Sequence, residues 1–339
     1  MKILLHIGTA KTGSTALQRT LAANRDALAQ AGVLFPDSLV GYGFGHIGLY
    51  WLTLRPDELD RTRFVAGHLD HRQFAERQMR LRDSLAREID AARPDVLILS
   101  SEHLSVLMKT PEQVAAVRSL VNAFGTEVEV HLCLREQADL LGSLYAEMIK
   151  AGYRGRFRFT PPPAGETHWD AALKRERGAQ RRDPQLLSYM DLSECWLDYE
   201  SLTKRWAREF GDDAMKLSIY ASPGAAGDGF TSRLLLGAGA NLRLATPTDV
   251  SNQSDSALTT EMRRWINMAL RRDVTHRLER FRWKAVMHPK LARSGRPFRL
   301  SEKDRQLVRD VFAAGNASVA DAYFPDRGAL FGHETHPNG

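Results

Sequence analysis

Three features of the sequence predict an α/β fold, a P-loop-like three-layer arrangement with a central parallel sheet flanked by helices. Apolar, β-rich runs recur along the chain, each run is continuous rather than alternating, and stretches of helical period separate them. The runs are residues 3–7, 95–100, 128–134 and 215–220, the second entered through Arg93-Pro94. Helical period covers residues 15–31, 73–92, 111–124 and 201–210, and Gly32, Gly125 and Gly211 stand where helix C-caps are expected. Further helical patterns add to the C-terminal third. Sheets of this kind bind ligands at the C-terminal ends of their strands.

With 339 residues, 43% hydrophobic and 26% charged, the chain is large enough to bury a core without staples. We read residues 1–339 as a single domain, with 151–195 as an insertion or lid and 250–331 as a mostly helical part. The two cysteines, Cys133 and Cys195, offer neither a disulfide framework nor zinc spacing. Residues 1–7 are too short for a signal-peptide core, and no segment has the length and apolarity of a membrane span. A soluble, cytoplasmic protein is expected. The net charge of +6 suits an anionic cofactor or substrate but does not by itself select one. Two stretches are rich in basic residues. One, residues 152–182, reads as a solvated insertion or as a rim that attracts an acidic acceptor. The other, residues 263–309, reads as mostly helical with a solvated charged face.

The most informative segment is Gly8-Thr9-Ala10-Lys11-Thr12-Gly13-Ser14-Thr15, between the first strand and the first helix. A strand, a glycine-bearing turn and a helix N-terminus make an anion site, because the turn and the helix dipole direct N–H groups at one point. The ATP-binding version requires Lys directly after the second Gly. Here Ser14 follows Gly13 and the lysine lies two residues before it. Arg135 ends the third predicted strand on the same sheet edge, and Ser143 follows about two helical turns later. An Arg fork and a hydroxyl can close on one phosphate; an Arg in this position can equally pair with a carboxylate.

Together, the Lys11 loop and the Arg135–Ser143 pair resemble the sulfotransferases that use 3′-phosphoadenosine 5′-phosphosulfate (PAPS), in particular bacterial members related to carbohydrate (heparan-type) enzymes. Further likeness lies in residues 197–211, in Asn252 and Ser254, and in residues 312–331, and is thin across 40–92 and 151–195. The resemblance implies that Lys11, Thr12, Gly13, Ser14, Thr15 and Ala16 hold the 5′-phosphosulfate and that Arg135 and Ser143 hold the 3′-phosphate. It implies in-line transfer to a hydroxyl or amine, release of 3′-phosphoadenosine 5′-phosphate (PAP), and no required metal. The acceptor it suggests is a glycan, a glycolipid or a small hydroxylated metabolite.

Lys11 would stabilise the charge that builds on the departing phosphate. Glu102, in Ser100-Ser101-Glu102-His103 after the second predicted strand, is the first choice of base. It can alternatively cap the following helix or pair with Lys11 or Arg135. His103 is a rival base. So is His46, in the glycine-rich turn 41–46, which could line an acceptor cleft. His6, inside the first strand, reads as a core histidine. Two other functions compete. A P-loop kinase lacks its Gly-Lys-[Ser/Thr], and Asp95 is at the wrong end of its strand to hold a metal. The other is a non-catalytic nucleotide- or glycan-binding module, against which the intact Lys11, Arg135 and Ser143 set argues for a working cofactor site. Nucleic acid is not expected as a partner, because the basic residues are mixed with acids and no recognition motif is present.

Overall fold

The computed structural model describes residues 1–41, 43–58, 60–108, 110–150, 152–161, 195–220, 234–235, 237, 239, 244, 255–269 and 297–332. Its contacts divide into two compact units: Met1–Arg135, Pro162–Thr248 and Ala314–Gly339 form the first, and Glu136–Pro161 and Asp249–Ala313 the second.

The first unit is built on five parallel strands: β1 (Lys2–Gly8), β2 (Val33–Leu34), β3 (Val96–Ser100), β4 (Glu127–Leu134) and β5 (Met215–Ile219), in spatial order β2-β3-β1-β4-β5. The α/β fold and the parallel sheet expected from the sequence are present. Four strands fall on the four predicted runs. The fifth, β2, has two residues and leaves no pattern in the sequence. Alternation along β1 divides the core. Ile3, Leu5 and Ile7 join one apolar cluster with Leu97, Leu99, Val130 and Leu132, whereas Leu4 joins the other with Val96 and Ile98. Both faces are therefore dry, which is why the strands read as unbroken apolar runs. Each fully buried Leu or Ile contributes about 1.5–3 kcal/mol relative to exposure.

On the Leu4 face lie α1 (Ser14–Ala23) and α2 (Arg25–Gln30), through Leu17, Leu21 and Leu28. The single helix expected over 15–31 is thus two. The Asn24 side-chain amide donates to the Thr20 carbonyl at 2.7 Å, so a side chain competes with the helical ladder at that point. The other face is covered by α3 (Ile47–Trp51), α5 (His71–Ala92), α6 (His103–Leu107), α7 (Pro111–Asn122) and α9 (Tyr199–Phe210). A short α4 (Arg61–Val65) precedes α5. Sequence chemistry explains the boundaries: Asp70 caps α5, Thr110 and Gln113 form a reciprocal capping box ahead of α7 with Pro111 in its first turn, and Asp198 caps α9.

The second unit holds α8 (Gln137–Lys150), α10 (Ala257–Ala269) and the first turns of α11 (Glu302–Tyr323), whose last turns belong to the first unit. Tyr145 is its aromatic centre, with Phe298 and Phe157 rings at 5.1 and 5.9 Å, and its hydroxyl donates to the Gly155 carbonyl at 3.0 Å. Arg305 pairs with Asp139 at 2.6 Å and Arg309 with Glu136 at 3.4 Å. Most of the 151–195 insertion, the stretch from 270 to 296 of the second basic region, and Asn252 and Ser254 lie outside the described residues. Among the described residues no helix is long and apolar enough to cross a membrane.

Candidate functional site

The strand order sets where a ligand can sit. The connection from β1 leads to β2 on one side, and that from β4 leads to β5 on the other. A crevice therefore opens at the C-terminal ends of β1 and β4, the switch point of the sheet. The Lys11 loop leaves β1 there, Arg135 follows β4, and Tyr220 follows β5.

The loop is shaped by its own hydroxyls. Thr9 is fully buried, and both its backbone N–H and its hydroxyl donate to the Cys133 carbonyl at 3.1 Å, which ties the loop to β4. The Thr9 carbonyl accepts from the Thr12 hydroxyl at 2.6 Å and the Ser14 hydroxyl at 3.3 Å. Lys11 has φ 62 and Gly13 φ 89, so two residues of this turn are left-handed, and only one is glycine. Gly13 is exposed and caps α1 without a side chain. The N–H groups of Ser14, Thr15 and Ala16 occupy the first turn, where no carbonyl four residues back lies within the helix. That turn is a helix N-terminus reached through a residue with no Cβ. Thr15 and Ala16 are half-buried, whereas the Ser14 hydroxyl proton is directed into the loop itself.

Arg135 joins this loop directly. Its guanidinium donates to the Lys11 carbonyl at 2.8 Å and lies 4.9 Å from the centre of the Tyr220 ring. The Tyr220 ring is also the neighbour of Gly13, 3.8 Å from where a Cβ would stand. Tyr199 fixes the backbone: its hydroxyl donates to the Arg135 carbonyl at 2.6 Å and accepts from the Arg135 N–H at 3.4 Å. Among the described residues, the Arg135 guanidinium meets a backbone carbonyl and an aromatic face rather than a carboxylate. Tyr220 and Tyr199 were not singled out as site residues from the sequence. For Tyr220 a signal existed, since it ends a strand on the same edge as Lys11 and Arg135. Ser143 is half-buried in the second turn of α8, in the second unit.

Glu102 approaches the loop from the other neighbour of β1. A Cβ on Gly8 would stand 3.1 Å from both Cα and Cβ of Glu102 and 3.0 Å from the Ser105 hydroxyl. Gly8 has φ 103, so glycine is required there for its conformation as well as for this contact. Glu102 is the N-cap residue of α6, but its side chain does not cap the helix, which sets aside the capping role the sequence allowed. It is half-buried, beside the Ser101 N–H that donates to the His6 carbonyl at 2.9 Å.

The two histidines weighed as bases are placed otherwise. His46 is fully buried. Its Nδ1 accepts from the Ser100 N–H at 3.1 Å and its Nε2 donates to the Pro36 carbonyl at 2.9 Å, so both nitrogens serve the backbone and it does not line a cleft. Burial lowers its pKa to about 3. His103 is the first residue of α6, its ring 6.3 Å from that of Tyr50, and burial lowers its pKa to about 4, which makes it a poor proton acceptor. His6 is the core histidine expected. Its Nδ1 shares a 2.7 Å hydrogen bond with the Ser100 hydroxyl, which also accepts from Gln18 at 3.1 Å, and burial, with His131 adding to it, brings its pKa to about 3.

No protein-family model matches the chain, and no curated protein matches it. A solved structure described as the crystal structure of a sulfotransferase from Alicyclobacillus acidocaldarius is similar at 14% identity, over 77% of this chain and 89% of that one, with a TM-score of 0.45.

Proposed function

We propose that this chain is a PAPS-dependent sulfotransferase acting on a hydroxyl or amine of a saccharide or glycoconjugate. The observation that carries the reading is the contact of Arg135 with the Lys11 turn. It joins two motifs, 124 residues apart, that are specific as a pair. The donor set suits a nucleotide bearing phosphates at both ends: first-turn N–H groups behind an exposed glycine, one ammonium and one guanidinium.

PAPS would supply the sulfuryl group for in-line transfer, with PAP as the product. The N–H groups of residues 12–16 hold the 5′-phosphate, and the Thr15 hydroxyl adds a donor. Lys11 opposes the negative charge that grows there in the transition state. Arg135 holds the 3′-phosphate with the donors not spent on the Lys11 carbonyl, and the resemblance to PAPS-dependent enzymes implies the same group for Ser143. Glu102 takes the proton of the acceptor hydroxyl. No metal is required by this donor set.

Calorimetric titration with PAP, in chelator, tests the reading. Wild type should bind PAP more tightly than ATP–Mg²⁺. Arg135→Ala should lose about tenfold or more in affinity for PAP, and less for an analogue without the 3′-phosphate. No binding of PAP, or a preference for ATP that needs Mg²⁺, would overturn it.

A further inference from the structure

Between β2 and α3 the sequence places glycine at 41, 43 and 45. Each glycine is required for its own reason. A Cβ on Gly41 would stand 2.5 Å from the Ile47 side chain and 2.9 Å from the Trp51 ring. One on Gly45 would stand 2.7 Å from the Gln18 amide nitrogen. Gly43 has nothing within 4 Å of that position, but its φ of 75 is left-handed. Gly41 and Gly45 are thus pressed against neighbours, while Gly43 serves the turn of the backbone. Phe44 follows that turn. It is 39% exposed, and the Arg19 guanidinium stands 5.0 Å from the centre of its ring. A single exposed phenylalanine is ordinary. This one is displayed on a glycine arm and braced by a cation.

The arm is fastened at the strand end that leads to Glu102. The His46 N–H donates to the Ser100 carbonyl at 2.8 Å. The Gln18 amide, against which Gly45 rests, donates to the Ser100 hydroxyl at 3.1 Å. Ser100 is the last residue of β3, and Glu102 follows two residues later. Gln18 and Arg19 belong to α1, and Arg19 lies five residues beyond Ser14, about 7.5 Å along the helix axis. Phe44 therefore adjoins the helix whose first turn offers its N–H groups, and its arm is tied to the strand end that carries the candidate base. All of these residues lie in the first unit.

We propose that Phe44 is the platform for the acceptor, with the apolar face of a pyranose ring lying on the phenyl ring. The inference rests on the sulfotransferase reading above and names the side chain that holds the acceptor in that site. A pyranose presents C–H bonds on one face and hydroxyls around its rim. The phenyl ring takes the face, and the rim is left to polar groups. Arg19 keeps the phenyl ring in place, and a guanidinium is polar at its edge, which suits ring hydroxyls. An acyl chain would need a continuous apolar wall, which glycines at 41, 43 and 45 do not provide.

Saturation-transfer NMR on the full chain, with and without PAP, tests it. The probes are the methyl β-glycosides of glucose, galactose, N-acetylglucosamine and glucuronic acid. At least one should receive saturation mainly on the C–H protons of one ring face. Phe44→Ala should raise the Kd of that glycoside about three- to tenfold, and Phe44→Trp should restore it. Both variants should keep the wild-type affinity for PAP, which a merely structural loss would not allow. Three results would overturn the proposal: transfer to none of the four glycosides, glycoside affinity unchanged in Phe44→Ala, or an equal loss of PAP affinity in that variant, which would move Phe44 to the donor side. The reaction reading fails separately. Glycoside binding that depends on Phe44, in a protein with no affinity for PAP, would keep the platform and remove the sulfotransferase.

Discussion

Lys11 combines two roles that a substitution can separate. Its backbone is left-handed, at φ 62, which costs a non-glycine residue about 1–2 kcal/mol. Its carbonyl is the acceptor for Arg135. Lys11→Gly relieves the strain and keeps the carbonyl while removing the whole side chain, ammonium included. We expect its melting temperature to equal or exceed that of wild type while kcat falls about 10²–10³-fold, with PAP affinity much less affected. Retained turnover in Lys11→Gly would remove the side chain from the mechanism. The same separation applies to the hydroxyls. Ser14 donates to the Thr9 carbonyl and so offers an anion chiefly lone pairs, whereas Thr15 is the better-placed donor.

At the scale of elements, the contact between Gly8 and the start of α6 couples the Lys11 loop to the candidate base. Gly8→Ala would place a methyl group 3.1 Å from the Glu102 backbone, at a φ of 103. We expect it to displace α6, lower the melting temperature by several degrees and reduce kcat beyond what reduced stability explains. Normal turnover in a folded Gly8→Ala protein would detach Glu102 from catalysis. The sequence made the long elements legible for a physical reason. Strands dry on both faces are continuous apolar runs, and α7 carries its capping chemistry in adjacent residues. Features that depend on distant partners were not legible. The break at Asn24 is invisible because the apolar period of Leu17, Leu21 and Leu28 runs through it. His46 lies in a glycine-rich turn that suggests a cleft, and only the approach of Pro36 and Ser100 makes it a core residue. Lys11 and Arg135 were legible as separate anchors, but the Tyr220 ring that packs on Arg135 beside Gly13 was not.

For the whole molecule, the buried histidines set an acid limit. His6 and His46 have pKa values lowered to about 3, and His103 and His131 to about 4, burial being the largest cause in each. In the unfolded chain each binds a proton near its ordinary value of about 6.5, so below that pH the unfolded state holds more protons than the folded one. Stability is complete above this value and falls as pH drops towards 3, by about 1.4 kcal/mol per pH unit for each group within its window. Denaturant midpoints measured from pH 7 to 4 should decline, and His46→Gln should make that decline shallower. A flat profile would mean that these rings are already protonated in the fold. The position of β1 has another consequence, in time rather than in space. It is made before every other strand, yet it lies at the centre of the sheet, between β3 and β4. A ribosome adding about 5–20 residues per second needs on the order of ten seconds to deliver both neighbours. Through that interval a largely apolar strand leaves the tunnel with neither edge paired, so the central element of the finished sheet is also the nascent chain's longest-standing demand on a chaperone.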